Sequence, residues 1–120
     1  MTMPYLKRIL LLIAIYLSNN GFLQVNQPNV ISNIAVVSGN FCVILDNSTP
    51  IHEYYVADAS DLNWESIEQA TKLCGFYSNN LVMYEADFAN KKLYIHLYLE
   101  RTNSPKDLLW WNDYLNSLCQ

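Results

Sequence analysis

Glycine, cysteine and histidine are scarce in this chain of 120 residues, and their scarcity excludes several kinds of site. The three glycines, Gly21, Gly39 and Gly75, are too far apart to form a glycine-rich phosphate loop. The two histidines and three cysteines show none of the spacings of a metal site. The sequence therefore predicts no cofactor and no bound metal.

Charged residues are also few, at 15% of the chain against roughly 25% in typical soluble domains. Seven basic residues are scattered among eleven acidic ones, and the formal net charge is −4. Binding to nucleic acid or to an anionic membrane surface requires clustered Lys and Arg. We therefore expect neither nucleic acid nor membrane as a partner.

His52 and His96 are the candidates for acid–base chemistry near neutral pH. His52 is next to Glu53, but adjacent residues of a strand point to opposite faces of a sheet. His96 has no Asp, Ser or Cys beside it in the sequence. We expect no enzymatic activity and no catalytic residue, with a small enzyme that uses His96 as the alternative.

The hydrophobic content and the cysteines limit the number of domains and the possible disulfides. Hydrophobic residues make up 52% of the chain, and its length suits one core, so we expect a single domain over residues 1–120. Cys42, Cys74 and Cys119 cannot all pair within one chain. We expect three reduced, mostly buried thiols in a cytoplasmic protein, and one disulfide with one free thiol if the chain is exported.

Residues 7–22, "KRILLLIAIYLSNNGF", place two cations before nine consecutive apolar residues. We interpret residues 1–21 as a buried first helix that ends at Gly21. A signal peptide cleaved near residue 21 is the alternative, although no small-x-small cleavage pattern follows the apolar run. A membrane anchor would need about 20 apolar residues.

The central part of the sequence has the alternation and turn residues of strands. Residues 30–37 ("VISNIAVV") and 41–45 ("FCVIL") flank Ser38-Gly39-Asn40 and predict a hairpin. Residues 22–26 and 52–59 predict further strands, which together would form an antiparallel meander. Residues 79–100 predict two strands joined at Ala89-Asn90-Lys91. The second of these strands alternates between two faces. The side chains expected to face the core are Leu93, Ile95, Leu97 and Leu99, and those expected to face outward are Tyr94, His96, Tyr98 and Glu100.

Two further helices follow from caps and apolar spacing. A central helix is predicted to begin at Asp61 or Asn63 and to end at Gly75. The last helix is predicted to begin at Ser104-Pro105. The predicted fold is therefore α+β, an antiparallel sheet of five or six strands flanked by three helices, in the order α-β-β-β-(β)-α-β-β-α. The apolar stripes are Trp64, Ile67, Ala70, Thr71 and Cys74 in the central helix, and Leu108, Trp111, Leu115 and Leu118 in the last, widened by Leu109, Trp110 and Tyr114.

This order of elements resembles that of the type III secretion chaperones and the wider group that shares their α/β sandwich. The resemblance extends over nearly the whole chain, in element order and without a residue signature. It implies a homodimer formed largely through the central helix and neighbouring strands, and a client segment wrapped over the sheet and the first helix.

We therefore predict a non-catalytic, cytoplasmic and dimeric binding domain of the secretion-chaperone or adaptor type, which holds a protein or peptide through sheet-edge pairing and aromatic pockets. A toxin-neutralising immunity protein and an exported small β-rich domain are the alternatives. Tyr and Trp are the residues that most often anchor interfaces. The predicted contact residues are Tyr94, His96, Tyr98, Trp110 and Tyr114.

Overall fold

The computed structural model describes residues 33–119, which belong to a compact unit that begins at Ile31. The predicted first helix and the predicted strand at 22–26 lie outside the described residues, and the single-domain prediction, which includes them, stays a prediction. The described elements are β1 (Ile34–Val37), β2 (Val43–Leu45), β3 (Tyr54–Asp58), α1 (Ile67–Tyr77), β4 (Val82–Asp87), β5 (Lys92–Leu97) and α2 (Leu108–Leu118), with 3₁₀ turns at Ser60–Leu62 and Leu99–Arg101.

The five strands form one mixed sheet in the order β2-β1-β3-β5-β4. The predicted hairpins β1–β2 and β4–β5 are present and antiparallel, but β3 lies parallel to β1. The prediction of an antiparallel sheet flanked by three helices is therefore wrong, because the sheet is mixed and the described residues contribute two helices.

The edge strand β2 does not pair with β3. The outer main-chain groups of Leu45 are bonded by the side chain of Asn112 on α2. The chain turns after β2, where the N–H of Ser48 donates to Asp46 Oδ1 at 2.9 Å. It then pairs with the other side of β1, and Ile34 lies opposite Val56.

Alternation along the strands puts one set of side chains into the core and leaves the other set outside. Both helices cover the same face of the sheet, because their buried residues belong to the same cluster as the buried strand residues. The buried residues include Leu45, Tyr55, Leu93, Ile95 and Leu97 from the strands, Ala70 and Cys74 from α1, and Trp111 and Leu115 from α2.

The helix α1 begins later and ends later than predicted. Ser66 is its N-cap, and Ser66 Oγ accepts the N–H of Gln69 at 3.0 Å, whereas the predicted cap Asp61 lies in a 3₁₀ turn. The helix continues through Gly75 to Tyr77, so the predicted stop is wrong. Of the predicted stripe, Ala70 and Cys74 are buried, Trp64 is half-buried, and Ile67 and Thr71 are exposed.

The helix α2 also begins later than predicted, while its apolar stripe is confirmed. Asp107 is the N-cap in place of Ser104, and Asp107 Oδ1 accepts the N–H of Trp110 at 2.9 Å. The stripe packs on the core, with Trp111 and Leu115 fully buried. Among the described residues, neither helix has the length and apolar character needed to cross a bilayer.

Cys42 and Cys119 form a disulfide, which joins the start of β2 to the end of α2. Cys74 is free and buried in α1, where desolvation raises the pKa of its thiol to about 11. The thiol is therefore neutral near pH 7. The prediction of three reduced cysteines is wrong, and the arrangement is the alternative of one disulfide and one free thiol.

Candidate functional site

The sheet face that points away from α1 and α2 is the candidate site, and we call it the open face. Its side chains come from alternate positions of all five strands, and the strand register fixes which of them are neighbours. They are Ile34, Val36, Ile44, Tyr54, Val56, Asp58, Met83, Glu85, Asp87, Lys92, Tyr94 and His96.

One half of the open face is aliphatic. Val36 lies directly opposite Ile44, and Ile34 lies opposite Val56 on the other side of β1. Val36, Ile44 and Ile34 are 63%, 56% and 51% exposed. Single exposed apolar residues are common on protein surfaces, but a contiguous group of them marks an interaction surface.

The other half carries a stack of rings. Tyr54 and His96 lie opposite each other on β3 and β5, and their ring centroids are 4.4 Å apart at an interplanar angle of 25°. The ring of Tyr98 lies 4.2 Å from that of His96. The guanidinium of Arg101 lies 3.8 Å from the centroid of Tyr98, within cation–π distance. Four side chains thus form one continuous stack.

Polar contacts hold this stack in place at His96 and at Arg101. His96 Nε2 lies 3.0 Å from Glu53 Oε2, and Arg101 Nη1 donates to the main-chain oxygen of Asn80 at 2.9 Å. Met83 lies opposite His96 on β4, and its sulfur is 3.8 Å from the hydroxyl of Tyr98. Side chains fixed in this way lose little rotamer freedom when a partner binds.

The chemistry that the stack can perform is limited. The imidazole of His96 with the carboxylate of Glu53 is an acid–base pair, but this is the one side-chain hydrogen bond that His96 makes among the described residues. In the same part of the chain, no group of three or more His, Cys, Asp or Glu side chains could hold a metal ion. The expected absence of enzymatic activity stays a prediction.

The outer edge of β2 is occupied by the side chain of Asn112. The N–H of Leu45 donates to Asn112 Oδ1 at 2.8 Å, and Asn112 Nδ2 donates to the carbonyl oxygen of Leu45 at 3.4 Å. The same Nδ2 donates to Asn47 Oδ1 at 2.9 Å. An incoming strand would have to displace this side chain to bond with β2.

The outer edge of β4 is partly occupied as well. The N–H groups of Val82 and Tyr84 donate to Asn79 Oδ1 at 3.1 Å and to Ser78 Oγ at 2.9 Å. The carbonyl oxygen of Val82 accepts the N–H of Asn79 at 2.8 Å. The sheet-edge pairing that we expected from the sequence therefore has few main-chain groups to bond with.

The residues predicted as contacts fall on two sides of the molecule. Tyr94 and His96 lie on the open face, and Tyr98 follows directly after β5. Trp110 and Tyr114 lie on α2, half-buried against the core, where their parallel rings are 5.4 Å apart. The structure therefore does not bring the α2 pair together with the strand residues.

Several side chains of the site could not be assigned to it from the sequence. The alternation of residues 52–59 separates Tyr54 from buried Tyr55, so it could have indicated Tyr54. The contacts of His96 with Glu53 and Tyr54 depend on the pairing of β3 with β5, for which no local signal exists.

Comparison of the chain with protein-family models, with curated proteins and with solved structures finds no match. Nothing therefore bears on the likeness to type III secretion chaperones, and the homodimer that it implies stays a prediction.

Proposed function

We propose that this chain is a non-catalytic protein-binding domain that contacts its partner through the open face. The observation that supports this is the contiguous group of exposed aliphatic side chains beside a fixed aromatic stack. Full burial of an aliphatic side chain contributes about 1.5–3 kcal/mol. Ile34, Val36 and Ile44 are about half exposed, so covering them would contribute on the order of 1 kcal/mol each.

The exposed apolar residues of the helices are weaker evidence for a contact surface than those of the open face. Ile67 and Phe76 lie nine residues apart on α1, which puts them on opposite sides of the helix at 3.6 residues per turn. Leu109 lies on the other helix. These side chains are 64%, 74% and 68% exposed, but they do not form a continuous patch by register as the open face does.

We also propose that the protein works in an oxidising compartment outside the cytoplasm. The Cys42–Cys119 disulfide supports this, because structural disulfides persist where thiols are not kept reduced. The order of cations and apolar residues in residues 7–17 is that of an export signal. Export was our alternative from the sequence, and the disulfide now favours it over the cytoplasm.

Site-specific photocrosslinking in the cells that make the protein tests the proposed function. A photoreactive amino acid replaces Val36 or Ile44 on the open face, and Glu68 or Thr71 on the exposed side of α1 provides the control. All four side chains are exposed, so the replacements should leave the fold intact, which thermal melts would verify.

We expect the same protein to be crosslinked from both open-face positions and not from the controls. Adducts from α1 alone, or none from the open face, would contradict the proposal. The mass of the captured protein also separates a toxin-neutralising immunity protein from other binders, because an immunity protein would capture a toxin.

A further inference from the structure

The open face offers side chains to an occupant but no free main-chain groups. The main chain inside the sheet is used by the strand pairs, and the edges are partly occupied by Asn112, Ser78 and Asn79. An extended peptide lying on such a face would leave its own N–H and C=O groups buried and unpaired. A helix bonds its own main chain internally. The occupant that fits this face is therefore helical.

The size of the open face suits one helix. Five strands about 4.8 Å apart make the sheet roughly 24 Å wide. About five residues per strand, with a rise of about 3.3 Å per residue, make it roughly 17 Å long. A helix crossing the strands would span this width with about 16 residues, and its diameter is about 10–12 Å. Its apolar side chains would recur at i, i+3, i+4 and i+7.

A groove of about 350 Å³ lies at the junction of β1 and β3, and a helix that crosses the strands would pass over it. Its walls on the open face include Ile34, Val36 and Val56, with Asp58 and Lys92 at one end. The aliphatic side chains would contact the apolar stripe of the helix, and the charged ones would meet its flanks.

The charges on the open face determine which charged residues are favoured on the flanks of a bound helix. Glu85 lies opposite Tyr94, and Lys92 lies between Asp58 and Asp87 in the strand register, so one lysine faces two carboxylates. Residues 33–119 hold five basic residues against all eleven acidic ones, a formal net charge of −6. A basic partner would be attracted to this surface and an acidic one repelled.

A second copy of this chain fits the open face poorly. Two identical faces would bring the same carboxylates together.

We infer that the open face binds a basic amphipathic helix of a different protein chain. This inference rests on the proposed function and specifies the partner of the same surface. The aliphatic half receives the apolar side of the helix, and Glu85 and Asp58 pair with Lys or Arg on its flanks.

Binding of three synthetic peptides to the full chain tests this inference. The first is a helical peptide of about 16 residues with a Leu/Ile stripe and Lys flanks, the second carries Glu in place of Lys, and the third is the Lys peptide with a central proline that breaks the helix. Fluorescence anisotropy of the labelled peptide measures each dissociation constant at two salt concentrations.

We expect the Lys peptide to bind about tenfold or more tightly than the Glu peptide at low salt, and to lose this advantage at high salt. The proline peptide should bind weakly. Glu85→Lys should weaken binding of the Lys peptide and strengthen binding of the Glu peptide. Glu68→Lys makes the same charge change at an exposed site on α1 and should leave the ratio of the two affinities close to that of the unchanged protein.

Equal binding of the Lys and Glu peptides would overturn the inference, and so would equal effects of Glu85→Lys and Glu68→Lys. A dimer in sedimentation equilibrium that Val36→Asp dissociates would also overturn it, because the occupant would then be a second copy. If open-face crosslinks form in cells while the peptides show no charge preference, the partner inference fails and the proposed function stands. Absence of open-face crosslinks contradicts the proposed function itself.

Discussion

The side chain of Asn112 bonds both outer main-chain groups of Leu45, with an N–H···Oδ1 distance of 2.8 Å and an Nδ2–H···O distance of 3.4 Å. A helix residue thus occupies the position that a neighbouring strand would take at the edge of β2. Unprotected edges invite pairing with other chains. Because this edge is occupied at Leu45, we expect a partner to contact the face of the sheet rather than the edge of β2.

Replacing Asn112 by Ala should destabilise the domain by about 1–3 kcal/mol, because it leaves the buried N–H and C=O of Leu45 without partners. Urea unfolding measures the loss, and hydrogen exchange should show faster exchange at the Leu45 amide. Asn116→Ala is the matched control, since Asn116 is exposed one turn later on α2. A loss as large in the control would contradict the role of Asn112.

Removing the disulfide should lower stability by about 4 kcal/mol, because it closes a segment with a sequence separation of 77 residues. The double variant Cys42→Ser, Cys119→Ser should unfold at lower urea concentration than the oxidised chain. Its unfolding should not respond to reductant, whereas that of the unchanged chain should.

Thiol counting checks the same assignment independently. The native chain should show one free thiol, Cys74, which should react slowly until the protein unfolds, because it is buried and its pKa is raised to about 11. Two or three rapidly reacting thiols in the protein isolated from its cells would contradict the Cys42–Cys119 pairing.

The adjacent residues Trp110 and Trp111 should differ in their contribution to stability. Trp111 is 1% exposed within the core, so Trp111→Ala should cost about 3–5 kcal/mol. Trp110 is half-buried and stacks on Tyr114, so Trp110→Ala should cost clearly less. Urea unfolding of the two variants measures the difference, and equal losses would contradict the placement of α2.

Acid should weaken two turns that follow strands. Hydrogen bonds lower the pKa of Asp46 below 3.8, first from the main chain of Ser48 and then from its side chain. Hydrogen bonds from Ser60, first from its side chain and then from its main chain, lower the pKa of Asp58 in the same way. A carboxyl group whose pKa is lower in the folded state stabilises the fold at pH values above its unfolded-state pKa. This stabilisation is lost as the pH falls below about 3.8 and through the folded-state pKa.

Carboxyl chemical shifts followed by NMR as the pH is lowered measure the two pKa values directly. The same carboxyls in the urea-unfolded chain serve as the reference. Folded-state midpoints of Asp46 and Asp58 at or above those of the unfolded chain would show that the Ser48 and Ser60 hydrogen bonds do not form in solution.

Local patterns in the sequence predicted the parts of the fold that local forces determine. The hairpins β1–β2 and β4–β5 follow from turn residues and alternation, and the stripe around Trp111 and Leu115 follows from helical spacing. The helix starts were displaced because several capping residues compete in each region, and Ser66 and Asp107 are the ones that bond the first turn.

Contacts between distant segments could not be predicted in this way. The parallel pairing of β1 with β3 has no local signal in the sequence, and neither has the bond from Leu45 to Asn112, which is 67 residues away. The disulfide joins Cys42 to Cys119 across 77 residues, and spacing alone could not choose that pair. Alternation alone placed Tyr94 and His96 on one face of β5, and their role as contacts stays a prediction, while the aliphatic half of the open face depends on the strand register.

The most direct test of the central claim uses the partner that open-face crosslinking recovers. Its dissociation constant is measured with two matched variants of this chain. Ile44→Ser removes an apolar side chain from the open face, and Ile67→Ser makes the same change at a similarly exposed position on α1. If the open face is the contact surface, Ile44→Ser should weaken binding about tenfold and Ile67→Ser should leave the dissociation constant within about twofold. An unchanged affinity in Ile44→Ser, or an equal loss in Ile67→Ser, would contradict the claim.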